Sequence, residues 1–166
     1  MTTDTPGATP QILGPADGEI LGPEDGTRDR FLVNAAESGG GFALVEHIIA
    51  PRELAAPLHL HTREDEYSYV LEGHVGALLG DHEVLAGPGE LVFKPRGQWH
   101  TFWNAGDTTL RILEIISPGG LEELFREFGD AGLPEPDTLT EMAARYGAEL
   151  DFDNTMPIIE RHGLRF

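Results

Sequence analysis

Between Pro57 and Ser117 a turn signal interrupts the chain every few residues, and that is the strongest limit on what it can fold into. Apolar and polar residues alternate in runs that predict strands at about 58–61, 66–72, 74–79, 82–86, 91–94, 99–104 and 109–116. The breaks Gly80-Asp81, Gly87-Pro88-Gly89 and Ala105-Gly106-Asp107 carry the residues that tight turns require. Two earlier strands, Phe31 to Ala36 and Phe42 to Ala50, flank the turn Glu37 to Gly41. Many short strands with regular turns predict an all-β sandwich or barrel. At 166 residues the chain is most simply one domain. Its barrel is expected over 28–118, after an N-terminal arm over 1–27 rich in Gly, Pro and Asp whose apolar pairs are Ile12-Leu13 and Ile20-Leu21. The first part of that arm is expected to be loose, and the second to lie along a strand edge.

After Pro118 the period changes. Leu121, Leu124, Phe125 and Phe128 recur at three and four residues and predict an amphipathic helix ending at Gly129. A second helix is expected with Asp137 or Thr138 as its cap, Leu139, Met142, Ala143 and Tyr146 on one side, and Gly147 as terminator. This extension, 119–166, is expected to pack outside the barrel near its mouth, with the tail from Asp151 to Phe166 unassigned.

Two stretches inside the strand-rich region carry chemistry. In Pro57 to Gly73, PLHLHTREDEYSYVLEG, His59 and His61 are two residues apart, so a strand sends both imidazoles to one face. Glu66 is five residues beyond His61, the wrong phase for an unbroken strand, but the polar run Thr62 to Asp65 can bend and reset it. Glu66, Ser68 and Val70 then share a face. In Gly89 to Asn104, GELVFKPRGQWHTFWN, His100 is followed on the same side by Phe102 and Asn104. Three imidazole nitrogens and one carboxylate oxygen form a ligand set for a first-row divalent metal, with iron, manganese, nickel, cobalt, copper and zinc all candidates. Such a set leaves coordination positions open. Glu66 is the adaptable member, able to take a proton from a ligand hydroxyl. Phe93, Phe102, Val70 and Ile112 are candidate apolar walls, together with Leu60, Leu78 and Trp103, and His47 is a further wall residue. Glu64 and Asp65 read as a solvated turn, His74, His82 and His162 as surface residues, and Asn104 as an amide that ties down a turn.

These blocks resemble the paired motifs of the cupin superfamily. The first reads H-x-H, three or four residues, E, six residues, G, and is met by His59, His61, Glu66 and Gly73. The second reads G, five residues, P-x-G, two residues, H, three residues, N, and is met by Gly89, Pro95, Gly97, His100 and Asn104. Glu53 stands where the family usually opens its first motif with Gly. Within the superfamily, HTREDEYSYVLEG, GPGELVFKPRGQWHTFWNAGD and LEELFREFG resemble single-domain bacterial proteins similar to quercetin 2,3-dioxygenase. The resemblance implies a jelly-roll barrel with helices outside it, and usually a homodimer. It also implies a reaction in which His59, His61 and His100 hold the metal, Glu66 takes the proton of a flavonol-like hydroxyl, and dioxygen cleaves the heterocycle. Polyketide cyclases, isomerases, lyases and non-catalytic small-molecule-binding proteins share this appearance, so the motif leaves the chemistry open.

Composition narrows the partners. Eleven basic residues against 29 acidic ones leave a formal charge of −18, and such a field repels phosphate backbones and anionic lipid. Nucleic acid and membrane are poor partners for it, whereas a small planar phenolic or polyketide-like molecule suits an aromatic-lined pocket. Without cysteine there is no disulfide, thiolate ligand or cysteine nucleophile. With neither a basic, apolar leader nor a bilayer-length apolar run, the expected location is the cytoplasm.

Overall fold

The computed structural model describes residues 11–166. In chain order it holds β1 (Glu19–Leu21), β2 (Thr27–Val33), β3 (Ala43–Ile49), β4 (Leu58–His61), β5 (Asp65–Glu72), β6 (Val75–Leu79), β7 (His82–Ala86), β8 (Leu91–Lys94), β9 (His100–Asn104) and β10 (Leu110–Ser117). There follow α1 (Glu122–Phe128), a 3-10 turn (Gly129–Ala131), α2 (Pro136–Arg145), β11 (Ala148–Asp151) and α3 (Phe152–His162). Two antiparallel sheets face each other. One has the order β1-β2-β3-β10-β5-β8 and the other β11-β4-β9-β6-β7; β3 to β6 alternate between the layers and, after the β6-β7 hairpin, β7 to β10 alternate back, as in a jelly roll. Among the described residues no helix is long and apolar enough to cross a membrane.

Alternation decides which side chains enter the barrel. On β10 Leu110, Ile112, Glu114 and Ile116 are buried while their neighbours are partly exposed. Ile49, Val70, Val75, Ala77, Val92, Phe102, Leu110 and Ile112 pack into one core cluster. A second cluster joins Phe31, Val45 and Ile116 of the six-stranded sheet to Leu121 at the start of α1, Leu124 within it, Ala143 of α2 and Ala148 of β11. Each helix therefore contributes an apolar face that the barrel covers, which is the principal source of stability for helices this short.

Three features depart from the sequence reading. Neither Asp137 nor Thr138 caps α2, which begins one residue earlier at Pro136 with no side-chain cap, since a proline at the first helical position is already set to helical φ. The end of the chain, unassigned from Asp151, is ordered into a strand and a helix: β11 pairs with β4 in the register His61↔Ala148 and His59↔Leu150, and α3 is capped by Asp151, whose carboxylate accepts from Asn154 N at 2.9 Å. Nor do the strands stop at the bounds expected for the barrel. β1, carrying Ile20 and Leu21, pairs with β2 at one edge of the six-stranded sheet, and β11 closes the edge beside β4. Of the expected arm, residues 1–10 lie outside the described residues.

Gly76 on β6 has no room for a side chain. A Cβ there would lie 2.3 Å from Cε2 and Nε1 of Trp103, its cross-strand neighbour on β9. Trp103 is held in turn by Leu54, Ile158 and Leu164 and cannot withdraw. Gly76→Ala is expected to lower stability by about 1–3 kcal/mol, the usual range for overpacking, as read from the urea midpoint at unchanged slope.

Candidate metal centre

The turn at Thr62–Glu64 shifts the phase between β4 and β5, so His61 and Glu66 both enter the barrel although an even number of residues separates them. His59 and His100 are direct cross-strand partners on β4 and β9 of one sheet, while Glu66 comes from β5 of the other. One ligand atom from each of His59, His61, Glu66 and His100 lies within 4.8 Å of the rest, and all four residues are buried. An ion at about 2.0–2.2 Å from each donor keeps any two donors within about 4.4 Å, so the cluster is a few tenths of an ångström wider than a loaded site.

The orientation of the rings fits the same use. His59 Nδ1 donates to the Pro57 carbonyl at 2.6 Å, which leaves its Nε2 as the free lone pair, and His100 Nδ1 donates to that of Gln98 at 3.0 Å while its Nε2 lies 3.1 Å from Glu66 Oε2. Neither nitrogen of His61 has a hydrogen-bond partner among the described residues, although its Nε2 is 3.3 Å from Glu66 Oε2. Buried nitrogens without a protein partner are what a bound cation would satisfy. Burial, reinforced by the neighbouring His100 and His61, holds His59 well below the ordinary histidine range, so it is neutral at pH 7. Burial also lowers His100. His61 goes the other way, because the charges of Glu66 and Glu64 outweigh its burial.

Beneath the cluster is a set of charges that the sequence reading did not single out. Lys94 lies directly across from Glu66 on β8, with Nζ 3.5 Å from Glu66 Oε2 and 3.0 Å from Glu114 Oε1. The latter is an ion pair without hydrogen-bond alignment. Ser68 Oγ donates to Glu114 Oε2 at 2.6 Å. Burial alone would push the Glu66 carboxyl up, but Lys94, His61 and His100 together hold it well below the carboxylate range. Lys94 is raised in the same exchange, since Glu114 and Glu66 outweigh its burial. A charged residue at the inward phase of an apolar strand was the available signal: Lys94 shares the phase of Val92, and Glu114 that of Ile112 and Ile116.

A cavity of about 460 Å3 opens above the cluster. His59, His61 and Glu66 line its floor, Phe102 and His47 its wall, and Leu124, Phe125 and Phe128 with Leu139 and Ala143 of α2 its roof. Three of the expected walls are elsewhere. Phe93 is 46% exposed and stacks on Tyr67 outside the barrel, because inward Lys94 forces its neighbour outward. Val70 and Ile112 do point inward, but into the closed core cluster. Of the other candidates, Leu60 has the outward phase on β4, while Trp103 and Leu78 pack with Leu54, Ile158 and Leu164. Glu64, read as solvated, is buried at a turn where Thr62 N and Oγ1 both donate to the Gly147 carbonyl (2.9 and 2.8 Å); Asp65 is the partner of Arg96. His74 and His82 are exposed and His162 binds Glu83. Asn104 Nδ2 donates to the Ile49, Ala50 and Thr108 carbonyls and its Oδ1 accepts from Gly106 N, tying the turn to β3. Glu53, at the position of the family's opening glycine, forms a β-bridge with Arg165.

The family model described as Cupin domain matches residues 45–116, the stretch that carries both motifs and all four residues of the cluster. The structure of the polyketide cyclase RemF from Streptomyces resistomycificus is similar at 30% identity and a TM-score of 0.56, over 66% of this chain and 80% of that one. The chain belongs to the cupin superfamily. This cupin is also 32% identical, over 94 residues, to the tetracenomycin polyketide synthase protein TcmJ of Streptomyces glaucescens. That match covers 56% of the cupin and 62% of TcmJ. It is 24% identical over 134 residues to quercetin 2,3-dioxygenase of Bacillus subtilis, covering 75% of the cupin and 36% of that enzyme. The cupin thus spans under two thirds of the curated relatives' lengths.

Lys94→Met removes the one cation between two buried carboxylates. Breaking a buried ion pair from one side costs about 3–5 kcal/mol, so a loss of that order is expected in urea unfolding, with much of it recovered in Lys94→Met/Glu114→Leu.

Proposed function

We propose that this cupin is a metal-dependent enzyme acting on a phenolic or enolic, polyketide-like molecule, and that its reaction is a non-oxidative ring closure or isomerisation. What carries the reading is the juxtaposition of the three imidazoles and Glu66 with an apolar, aromatic-walled cavity. A phosphorylated sugar would call for basic side chains aimed into such a space. The chain's one lysine, Lys94, is fully buried between Glu66 and Glu114 instead. The choice of a polyketide-like ligand draws on the likeness to TcmJ and to the polyketide cyclase RemF, at 32% and 30% identity.

His59, His61, His100 and Glu66 would hold the ion. A bound divalent metal would supply Lewis acidity toward a ligand oxygen. Phe102 and Phe125 position the ring system and keep water from it. Glu66, kept ionised by Lys94, takes the proton of the ligand hydroxyl at a carboxylate oxygen as that hydroxyl approaches the floor. Flavonol oxygenation is the second reading, favoured by the 24% match to quercetin 2,3-dioxygenase.

Elemental analysis of natively purified protein is expected to find one first-row divalent ion per chain. Turnover of polyhydroxylated aromatic or poly-β-keto substrates is expected to persist in anaerobic buffer and to fall by about 10²–10⁴ in Glu66→Gln, the usual contribution of one acid–base group. Stoichiometric oxygen uptake that stops with the reaction under argon would overturn ring closure and favour the oxygenase.

A further inference from the structure

We propose that His47 and Asp29 form a second proton-transfer site in the cavity, separate from the metal cluster, that exchanges a proton with an oxygen of a phenolic or enolic ligand. The inference rests on the reading of the cavity as the site of such a ligand. His47 on β3 and Asp29 on β2 are direct cross-strand partners, and both line the cavity. Their contact, 2.5 Å between His47 Nδ1 and Asp29 Oδ1, is therefore held by strand pairing rather than by a loop. A carboxylate on Nδ1 keeps a proton on that nitrogen in either charge state, so the proton that comes and goes is the one on Nε2.

Nε2 is the free end. It is 4.0 Å from Glu114 Oε2, beyond hydrogen-bond reach, and makes no hydrogen bond among the described residues. The groups that face the ring are few. Asp29 comes from β2, Glu114 from β10 and Lys94 from β8, while Phe102 of β9 (ring centroids 5.9 Å apart) and Phe125 of α1 (5.5 Å, edge-on) close the apolar sides. Burial pushes the imidazole down, but Asp29 and Glu114 together outweigh it and Lys94 and raise it above the ordinary histidine value. The imidazolium form therefore persists to higher pH than in a free histidine.

The exchange balances without an oxidant. As the N–H bond at Nε2 breaks, an O–H bond forms on an enolate or phenolate oxygen; the imidazolium becomes neutral and the ligand anion becomes an enol or phenol. In the reverse direction neutral Nε2 takes the O–H proton. A ligand lying across the cavity would meet Glu66 on the floor and His47 on the wall, so a proton lost at one oxygen could be regained at another.

The test uses the full chain and 4-nitrophenol, whose phenol and phenolate absorb at different wavelengths. Wild-type protein is expected to bind the probe and shift its ionisation, with affinity about ten- to a hundredfold weaker in His47→Gln, the worth of one hydrogen bond to a charged partner. In Asp29→Asn the imidazole titration of His47, followed by 15N NMR, is expected to move to lower pH, because the largest raising influence is gone and burial remains. Failure of the wild type to bind the probe, unchanged affinity in folded His47→Gln, or an unmoved titration in Asp29→Asn would each overturn the proposal. If His47→Gln does not fold, the Asp29→Asn titration decides alone. Metal content is measured in parallel: His47-dependent probe binding in a protein that takes up no divalent ion overturns the metal-enzyme reading and leaves the pair standing. A metal-loaded, active protein whose probe binding ignores His47 does the reverse.

Discussion

A carboxylate fully enclosed by a β-barrel ought to be protonated, since removing a charge from water costs far more than a hydrogen bond returns. Glu66 is held ionised because Lys94 stands directly across the sheet from it and two imidazoles face it from the opposite layer. Lys94 cannot serve one carboxylate alone at that depth. It is shared with Glu114, which in turn accepts from Ser68. The His–Glu cluster is thus the upper face of a buried charge network, and whatever disturbs Lys94 reaches the cluster through Glu66.

This arrangement divides labour between the sheets. The five-stranded sheet brings the imidazoles, two of them oriented by backbone carbonyls two residues away in the chain. The six-stranded sheet brings Glu66, Lys94, Glu114 and the His47–Asp29 pair. Imidazoles face carboxylates and Lys94 across the interior, and the cavity opens where helical segments rather than strands complete the wall. α1 and α2 supply apolar side chains there, so the space above the cluster is greasy on top and charged beneath.

The convergence of His59, His61, Glu66 and His100 was legible because its signal is short in sequence: two histidines in one strand phase, an acid after a turn, a third histidine behind Pro95 and Gly97. The strands and first helix were legible for the same reason, each being a repeat of period two or 3.6. The walls were not. Phe93 was expected to face the cavity and Lys94 was passed over, yet the two alternate on one strand, so placing Lys94 inward turns Phe93 out. Val70 and Ile112 have the right phase but the wrong depth, and depth along a barrel axis is set by where the other strands end. β11 was missed because four residues, Ala148–Asp151, have too little pattern of their own and become a strand only against β4.

Local order alone therefore settled that the chain is all-β with a helical extension, and that two distant segments each aim ligand-type side chains to one face. Those are properties of alternation and turn chemistry, which neighbouring residues impose on each other. Only the tertiary structure decided that the two faces meet, that Lys94 and Glu114 lie beneath them, and that His47 finds Asp29. Each of these is a contact across sheets or strands, governed by register and by the cost of burying a charge without a partner, and neither quantity exists until the strands have paired.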